Sequence, residues 1–440
     1  MSSAVVDRVS SKVAARQGVA EGIASYTAIR TAEDLKSQWT VKRLDEVCAF
    51  HNGLWKGKKP PYVRVGVIRN TNFAKDGILD DSDIAYLDVE EKQFQKRKLK
   101  FGDLILEKSG GGPKQAVGRV VLFDKVDGDY SFSNFTSAIR VNDQRQLAFH
   151  YLHKYLHWIY ASGVTESMQS HSTGIRNLDG HAYKGISIAF PSLTEQQRIV
   201  AILDEAFADI AKARSNAERN LCNARELLEV VERSFFPSDL ELETQGTPLD
   251  ELCDLIVDCE HKTAPTQERG VPSIRTPNIG RGRLILDGVY RVSEDTYEAW
   301  TRRAKPQPKD LILAREAPAG NVAVIPDGMK VCLGQRTVLI RSKKSIFEPA
   351  YLAHLLLQRS SQQRLLAHSR GATVQHVNMK DIRAFKVSAI PPLEVQRSVT
   401  GKIAALLEYG DTLEACYETK LTALDELKQS LLDRAFAGGL

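Results

Sequence analysis

From Ile199 onward, apolar residues recur in alternating steps of four and three, at positions 199, 203, 206, 210, 213 and 217, and resume at 224, 227 and 231. Such spacing draws one apolar stripe along a helix and predicts a long amphipathic helix with a coiled-coil-like seam. The stripe returns 200 residues later: Ile199 matches Val399, Leu203 Ile403, Ala206 Leu406, Ala213 Leu413, Ala224 Leu424, Leu227 Leu427 and Val231 Leu431. Each stripe opens on the same P-x-L-x-x-Q box, Pro191 to Gln196 and Pro391 to Gln396. Ser192 and Glu195 have capping-box spacing, and Pro237 and Gly438-Gly439 mark the two ends. Thr194 to Phe236 is 43 residues. At about 1.5 Å per residue that is a rod of about 60 Å, or roughly 18 base pairs of DNA axis at about 3.4 Å each.

A solitary amphipathic helix is usually a core helix. Two that share length, box and register are better explained as partners. A polar residue interrupts both stripes at the same point, Asn220 and Lys420, and a single polar seam residue commonly fixes register.

The duplication extends upstream of each helix. Leu44-Asp-Glu-Val-Cys48 matches Leu249-Asp-Glu-Leu-Cys253, and Gly102-Asp-Leu-Ile-Leu106 matches Lys309-Asp-Leu-Ile-Leu313. The offsets drift between 200 and 207 residues, so loops changed length while a framework stayed. Apolar runs broken by Gly and Pro, such as Arg119-Val-Val-Leu-Phe123 and Asn321-Val-Ala-Val-Ile325, predict strands, with helical patches at Tyr151 to Trp158 and Tyr351 to Gln358. The chain is thus expected to be α/β: two duplicated mixed α/β domains separated by two long antiparallel helices with pseudo-twofold symmetry. The expected segments are an N-terminal extension at 1–38, a first domain at 39–192, a spacer helix at 193–236, a linker at 237–246, a second domain at 247–392 and a second spacer helix at 393–436.

Composition fits 440 residues divided into two or three domains, with 42% hydrophobic and 26% charged residues. No apolar run is long enough to predict a membrane span, and the first 38 residues lack a signal-peptide pattern. Six cysteines without C-x-x-C spacing point to a reducing, cytoplasmic setting and away from structural zinc. Cys48 and Cys253 share a repeat position and read as core. Cys259 and His261 could supply half a metal site, with no second half visible in the sequence.

Charge changes the picture once it is divided by segment. Residues 39–192 carry 22 basic against 17 acidic side chains and residues 247–392 carry 22 against 15, whereas 193–236 carry 6 against 8 and 393–440 carry 5 against 8. Two basic heads joined by acidic helices suit heads that meet a polyanion and helices that meet protein. In the first head the candidate DNA contacts are Trp55, Lys56, Lys58, Lys59, Arg69, Lys108, Lys114, Arg176 and Asn177. In the second they are His261, Lys262, Arg275, Arg281, Arg283, Arg315, Arg336, Arg370 and Asn378. Arg and Lys can contact phosphate or guanine edges, and Asn or Gln can read adenine.

Two features are decoys. Ser109-Gly-Gly-Gly-Pro lacks the rest of a P-loop and reads as a tight turn. Lys59-Pro-Pro-Tyr62 resembles an adenine-methyltransferase N-P-P-Y box, but Lys is a donor only and cannot accept from the adenine amino group as Asn does. No methyl-donor, helicase or nuclease motif accompanies it, so the chain is expected to be non-catalytic.

Taken with Ser172-Thr-Gly-Ile-Arg-Asn177 and Arg370-Gly-Ala-Thr-Val-Gln-His-Val-Asn378 shortly before each box, these features resemble the specificity subunit of type I restriction-modification enzymes, over residues 39–436 or so. The resemblance implies two target-recognition domains, each reading half of a split double-stranded DNA sequence. It also implies helices that set the spacing and dock two methyltransferase subunits, with Gln196, Asn220, Gln396 and Lys420 as register or docking residues. Restriction subunits would complete the assembly. S-adenosylmethionine, ATP and magnesium would belong to those partners, and none to this chain. The chain departs from the family's pattern in Val395, where Glu is usual, and in its N-terminal extension. The alternative is a two-headed coiled-coil scaffold whose basic heads bind protein or RNA.

Overall fold

The structure, a computed structural model, describes residues 38–54, 57–74, 77–110, 115–172, 175–236, 246–260, 262–367 and 375–440. Residues 1–37 of the N-terminal extension and 237–245 of the linker lie outside them.

In the first head, the Asp-Leu-Ile-Leu strand (Leu104–Glu107) is central to a four-stranded antiparallel sheet. The order is Cys48–Asn52, Thr136–Val141, Leu104–Glu107, Val120–Leu122. Alternation of side chains across a strand explains why this stretch is apolar at every position. Leu104 and Leu106 face the helix Phe149–Ala161 through Tyr151, Leu152 and Leu156, while Ile105 joins Ile68, Phe73, Phe123 and Phe132 on the other face. A second small sheet covers that face, with Tyr62–Ile68 antiparallel to Ala85–Glu90 and parallel to Tyr130–Phe132. The preceding Asp103 is buried and accepts two hydrogen bonds from Arg140, each 2.6 Å, so its place in the motif is structural.

The second head repeats this plan. Cys253–Asp258, Thr337–Ser342, Leu311–Ala314 and Val322–Val324 form the sheet, and Arg291–Val292, Val271–Ile274 and Cys332–Leu333 the smaller one. Leu311 and Leu313 pack toward the helix Pro349–Leu357, Ile312 and Ala314 toward Ile274, Ile279 and Leu333, and Asp310 binds Arg341 twice at 2.8 Å. Cys48 and Cys253 are buried in these cores, which pushes both thiols up to about 12.

The long helices run Leu193–Ser234 and Leu393–Ala437. The chain's two compact units do not follow sequence order: one holds residues up to Asn216 together with Lys420–Leu440, the other Ala217–Thr419. Each therefore contains one head and one portion of each helix. Within the first unit the helix portions lie antiparallel, joined by Arg198 Nη2 to the Leu440 carbonyl (2.7 Å) and by Arg214 to Asp425 (2.5 Å). Phe436 packs edge-on to Tyr151 and Tyr155 of the head. Within the second, Arg225 Nε donates to Glu414 (2.8 Å) and Phe236 packs on Tyr351. Arg214 and Glu414 occupy equivalent repeat positions, as do Arg225 and Asp425, so the two ion pairs are one pair of positions with the charges exchanged.

The burial pattern along the helices corrects the expected seam. Leu227 and Leu427 are 62% and 47% exposed. The inward-facing positions pass instead through 217, 221, 224 and 228, and again through 417, 421, 424 and 428. Two successive four-residue steps, 213 to 217 to 221, interrupt the alternation and turn the stripe past residue 227. Asn220 and Lys420 consequently lie on exposed faces, not in the seam. Glu195, expected in a capping box, is held by Arg198 at 2.7 and 2.8 Å. Among the described residues no helix is long and apolar enough to cross a membrane.

Candidate nucleic-acid interface

Three chain segments meet at one end of each head. In the first, strand Tyr62–Ile68 runs into Arg69, whose backbone N–H donates to Asn72 Oδ1 (2.9 Å) and starts the one-turn helix Asn70–Asn72. Strand Leu104–Glu107 runs into Lys108, and Phe135 sits in the turn Ser133–Thr136. Backbone bonds lace the segments together: Ser133 N–H to the Ile68 carbonyl (2.9 Å) and Lys108 N–H to the Phe135 carbonyl (3.1 Å). The second head repeats the arrangement with Arg275, Arg315 and Arg336, through Gly334 N–H to Ile274 (2.7 Å), Arg315 N–H to Arg336 (2.8 Å) and Arg275 N–H to Asn278 Oδ1 (3.2 Å).

The surroundings orient these cations. Arg69 Nη2 donates to the Asp83 carbonyl and carboxylate at 3.2 and 3.3 Å, and Arg275 stacks 4.4 Å from the Tyr290 ring centroid. In both arginines Nε is buried with no acceptor. Partial burial holds the Lys108 ammonium below the usual lysine range, and Lys108 Nζ lies 3.5 Å from Asn52 Oδ1. The hairpin Gln169–Ser172 with Ile175–Leu178 adds to the first head's cluster. It pairs Asn177 with Ser109 and Arg176 with Gly110, with Ser109 Oγ donating to Asn177 Oδ1 (2.5 Å) and Asn70 Nδ2 to the Ser109 carbonyl (2.6 Å). At the corresponding place in the second head Glu316 pairs with His376, Glu316 Oε2 lies 2.8 Å from Arg336 Nη1, and Arg315 Nε donates to the Val377 carbonyl (3.0 Å).

Thus Arg69, Lys108, Arg176 and Asn177 converge in one head, and Arg275, Arg315 and Arg336 in the other. Other expected contacts do not join them. Lys58 and Lys59 are exposed, but lie at the far end of strand Tyr62–Ile68 from Arg69, their backbone N–H groups held by Glu90 Oε2 at 3.3 Å. Lys262 has its carbonyl bound by Trp300 Nε1 (3.3 Å). Three groups of expected residues are engaged within their own unit. Arg283 is engaged through both terminal nitrogens by Asp411 of the C-terminal helix, and Arg281 donates to the Leu357 carbonyl (3.3 Å), so both arginines are bonded within their own unit. Asn378 precedes the helix Met379–Ala384 and donates to Asp381 (3.1 Å), a local structural role. Gln196 and Gln396 are fully buried and cannot form a docking surface. Each ties its helix to its own head, Gln196 to Ala148, Gln146 and Pro191, and Gln396 to Glu348, Ile346 and Pro391. Trp55, Lys56, Lys114, His261 and Arg370 lie outside the described residues.

Sequence reasoning missed Phe135, Asn70, Tyr290, Glu316 and His376. The signal that could have found this place is the I-R-x-x-N repeat, Ile68 to Asn72 and Ile274 to Asn278. Chemically, the clusters offer forked donors, an ammonium and amides at the ends of strands, a set suited to phosphates and base edges. Among the described residues no group of three or more His, Cys, Asp or Glu could hold a metal ion.

A duplicated basic head on a shared helical pair defines a nucleic-acid recognition protein built from two equivalent modules. The chain belongs to the type I restriction modification DNA specificity domain family, which it matches over residues 36–218 and 248–423. It is a DNA sequence-specificity subunit. It is similar to the type I restriction enzyme EcoBI specificity subunit of Escherichia coli, 20% identical over 305 residues, which are 64% of each chain. The StySPI specificity subunit of Salmonella potsdam is 22% identical over 86% of this chain and 82% of its own. Among solved structures, a chain from a type I R-M system studied for complex assembly and conformational transition matches with TM-score 0.70 at 20% identity, over 92% of this chain and 98% of that one. The HsdS subunit from Thermoanaerobacter tengcongensis matches with TM-score 0.56 at 19% identity, over 92% of this chain and 97% of that one.

Proposed function

We propose that each head binds one half of a split duplex DNA sequence through its strand-end cluster. The helices set the separation of the halves and dock two methyltransferase subunits, and restriction subunits join that assembly in the cytoplasm. On this reading the chain supplies recognition alone, and S-adenosylmethionine, ATP and magnesium serve the partner subunits. The observation that carries it is the recurrence of basic side chains at the same two strand ends in both heads, Arg69 with Lys108 and Arg275 with Arg315.

The test is duplex-DNA binding by the full chain with its cognate methyltransferase subunit across a salt series. Arg69→Ala with Lys108→Ala, or Arg275→Ala with Arg315→Ala, is expected to weaken binding. Each contact that had been to phosphate flattens the slope of log affinity against log salt by about 0.9. Parental affinity and slope in folded variants would overturn the assignment of these clusters. Tighter binding to RNA than to duplex DNA would favour the scaffold alternative.

A further inference from the structure

The two heads agree at two of the three positions that meet at the strand ends and disagree at the third. Arg69 corresponds to Arg275 and Lys108 to Arg315, but the turn carries Phe135 in one head and Arg336 in the other. The turns themselves are equivalent. Thr136 Oγ1 donates to the Ser133 carbonyl and Thr337 Oγ1 to the Gly334 carbonyl, both at 2.8 Å, and both threonines are fully buried. The strand-end residue donates to the turn carbonyl in each, Lys108 to Phe135 and Arg315 to Arg336.

Neither side chain is buried in its own fold. Phe135 is 48% exposed, and its carbonyl accepts from the Lys108 N–H (3.1 Å), which fixes this turn next to the basic strand end. The Arg336 side chain is 62% exposed, and its backbone is left-handed with φ of 64°, a conformation disfavoured for a residue with a Cβ. Glu316 Oε2 lies 2.8 Å from Nη1 of this largely exposed guanidinium. A carboxylate that orients an exposed arginine on a strained turn presents a fixed donor pair.

We propose, resting on the DNA-reading function above, that this turn is a base-reading position in both heads and reads different chemistry in each. Phe135 takes an apolar base edge, the methyl group of thymine. Arg336 takes the paired acceptors of guanine. Apolar side chains recognise the thymine methyl and arginine forks recognise guanine O6 and N7 in the major groove.

The experiment expresses the full chain with its modification and restriction partners in a host lacking the system and maps the methylated sites by sequencing. Phe135→Arg is expected to shift one position of one half-site from thymine towards guanine by roughly 10-fold in relative methylation, leaving the other half-site unchanged. Arg336→Phe is expected to do the reverse in the other half-site, and Phe135→Leu to keep the parental motif. Folding is checked by thermal melting. A folded Phe135→Arg and Arg336→Phe that both keep the parental motif overturn the proposal. If methylation is lost altogether, titration with cognate and random duplexes decides: loss confined to the cognate duplex supports the turn as a reader, and equal loss on both overturns it. A parental chain that yields no two-part motif would instead refute the function on which the proposal rests.

Discussion

Replacing Gln396 with alanine is expected to lower the stability of its unit by about 3 kcal/mol or more, the sum of three lost hydrogen bonds and the buried partners they leave behind. The amide oxygen accepts from Glu348 N–H (2.9 Å), just before the helix Pro349–Leu357, and the amide nitrogen donates to the Ile346 and Pro391 carbonyls at 2.8 and 2.7 Å. No water can replace these contacts cheaply, because the residue is fully buried. In a unit of this size the loss corresponds to a melting decrease of roughly 6–12 °C. Gln196→Ala is expected to act in the same way on the other unit, through Ala148, Gln146 and Pro191. Glutamate should be no remedy, since a carboxylate would face two carbonyl oxygens. Gln197→Ala, at an exposed neighbour, is the control. A Gln396→Ala protein that melts within a degree of the parent would refute the bracket.

The second large effect concerns the spacing of the half-sites. Inserting four residues into the central helix alone, near Arg214, suits a free-standing rod. It does not suit this protein, because Arg214–Asp425 and Arg225–Glu414 tie both helices together, one pair in each unit. Lengthening one helix puts the other out of register. Matched insertions after Arg219 and Thr419 leave each ion pair intact and add about 6 Å of rise to each helix at 1.5 Å per residue. Four residues also keep each apolar stripe roughly in phase, which two do not. The matched variant is expected to methylate sites whose halves lie one or two base pairs further apart, at about 3.4 Å per pair. A two-residue matched insertion, or four residues in one helix only, is expected to cost assembly with the methyltransferase. Methylation at the parental spacing by a folded, matched four-residue variant would leave the helices as docking surfaces and not rulers.

Repetition made much of this fold legible in the sequence. Identical apolar steps placed both helices to within a few residues of Leu193–Ser234 and Leu393–Ala437, and the paired Asp-Leu-Ile-Leu segments located the central strand of each head. Direction was less legible than position. The repeated glutamine of each box marks an important residue, but its type does not show whether it points to a partner or, as Gln196 and Gln396 do, into its own head. Arg283 looks like any loop arginine until the chain brings Asp411 to it from 128 residues away. The seam beyond Ala217 was misread because an unbroken alternation of fours and threes selects Leu227, whereas the added four-residue step selects Leu221 and Leu228. Phe135 escaped notice because a search for cations passes over an exposed ring. Its meaning comes only from lying beside Lys108 and opposite Arg336 in the repeat.

The central claim is that each head reads its own half of one DNA sequence. The most direct measurement replaces residues 39–190 with the equivalent segment of a related specificity subunit and maps methylated sites in cells that also carry the partner subunits. One half of the methylated sequence is expected to change to that of the donor, with the other half and the spacing unaltered. A change in both halves, or a change in neither, would contradict it.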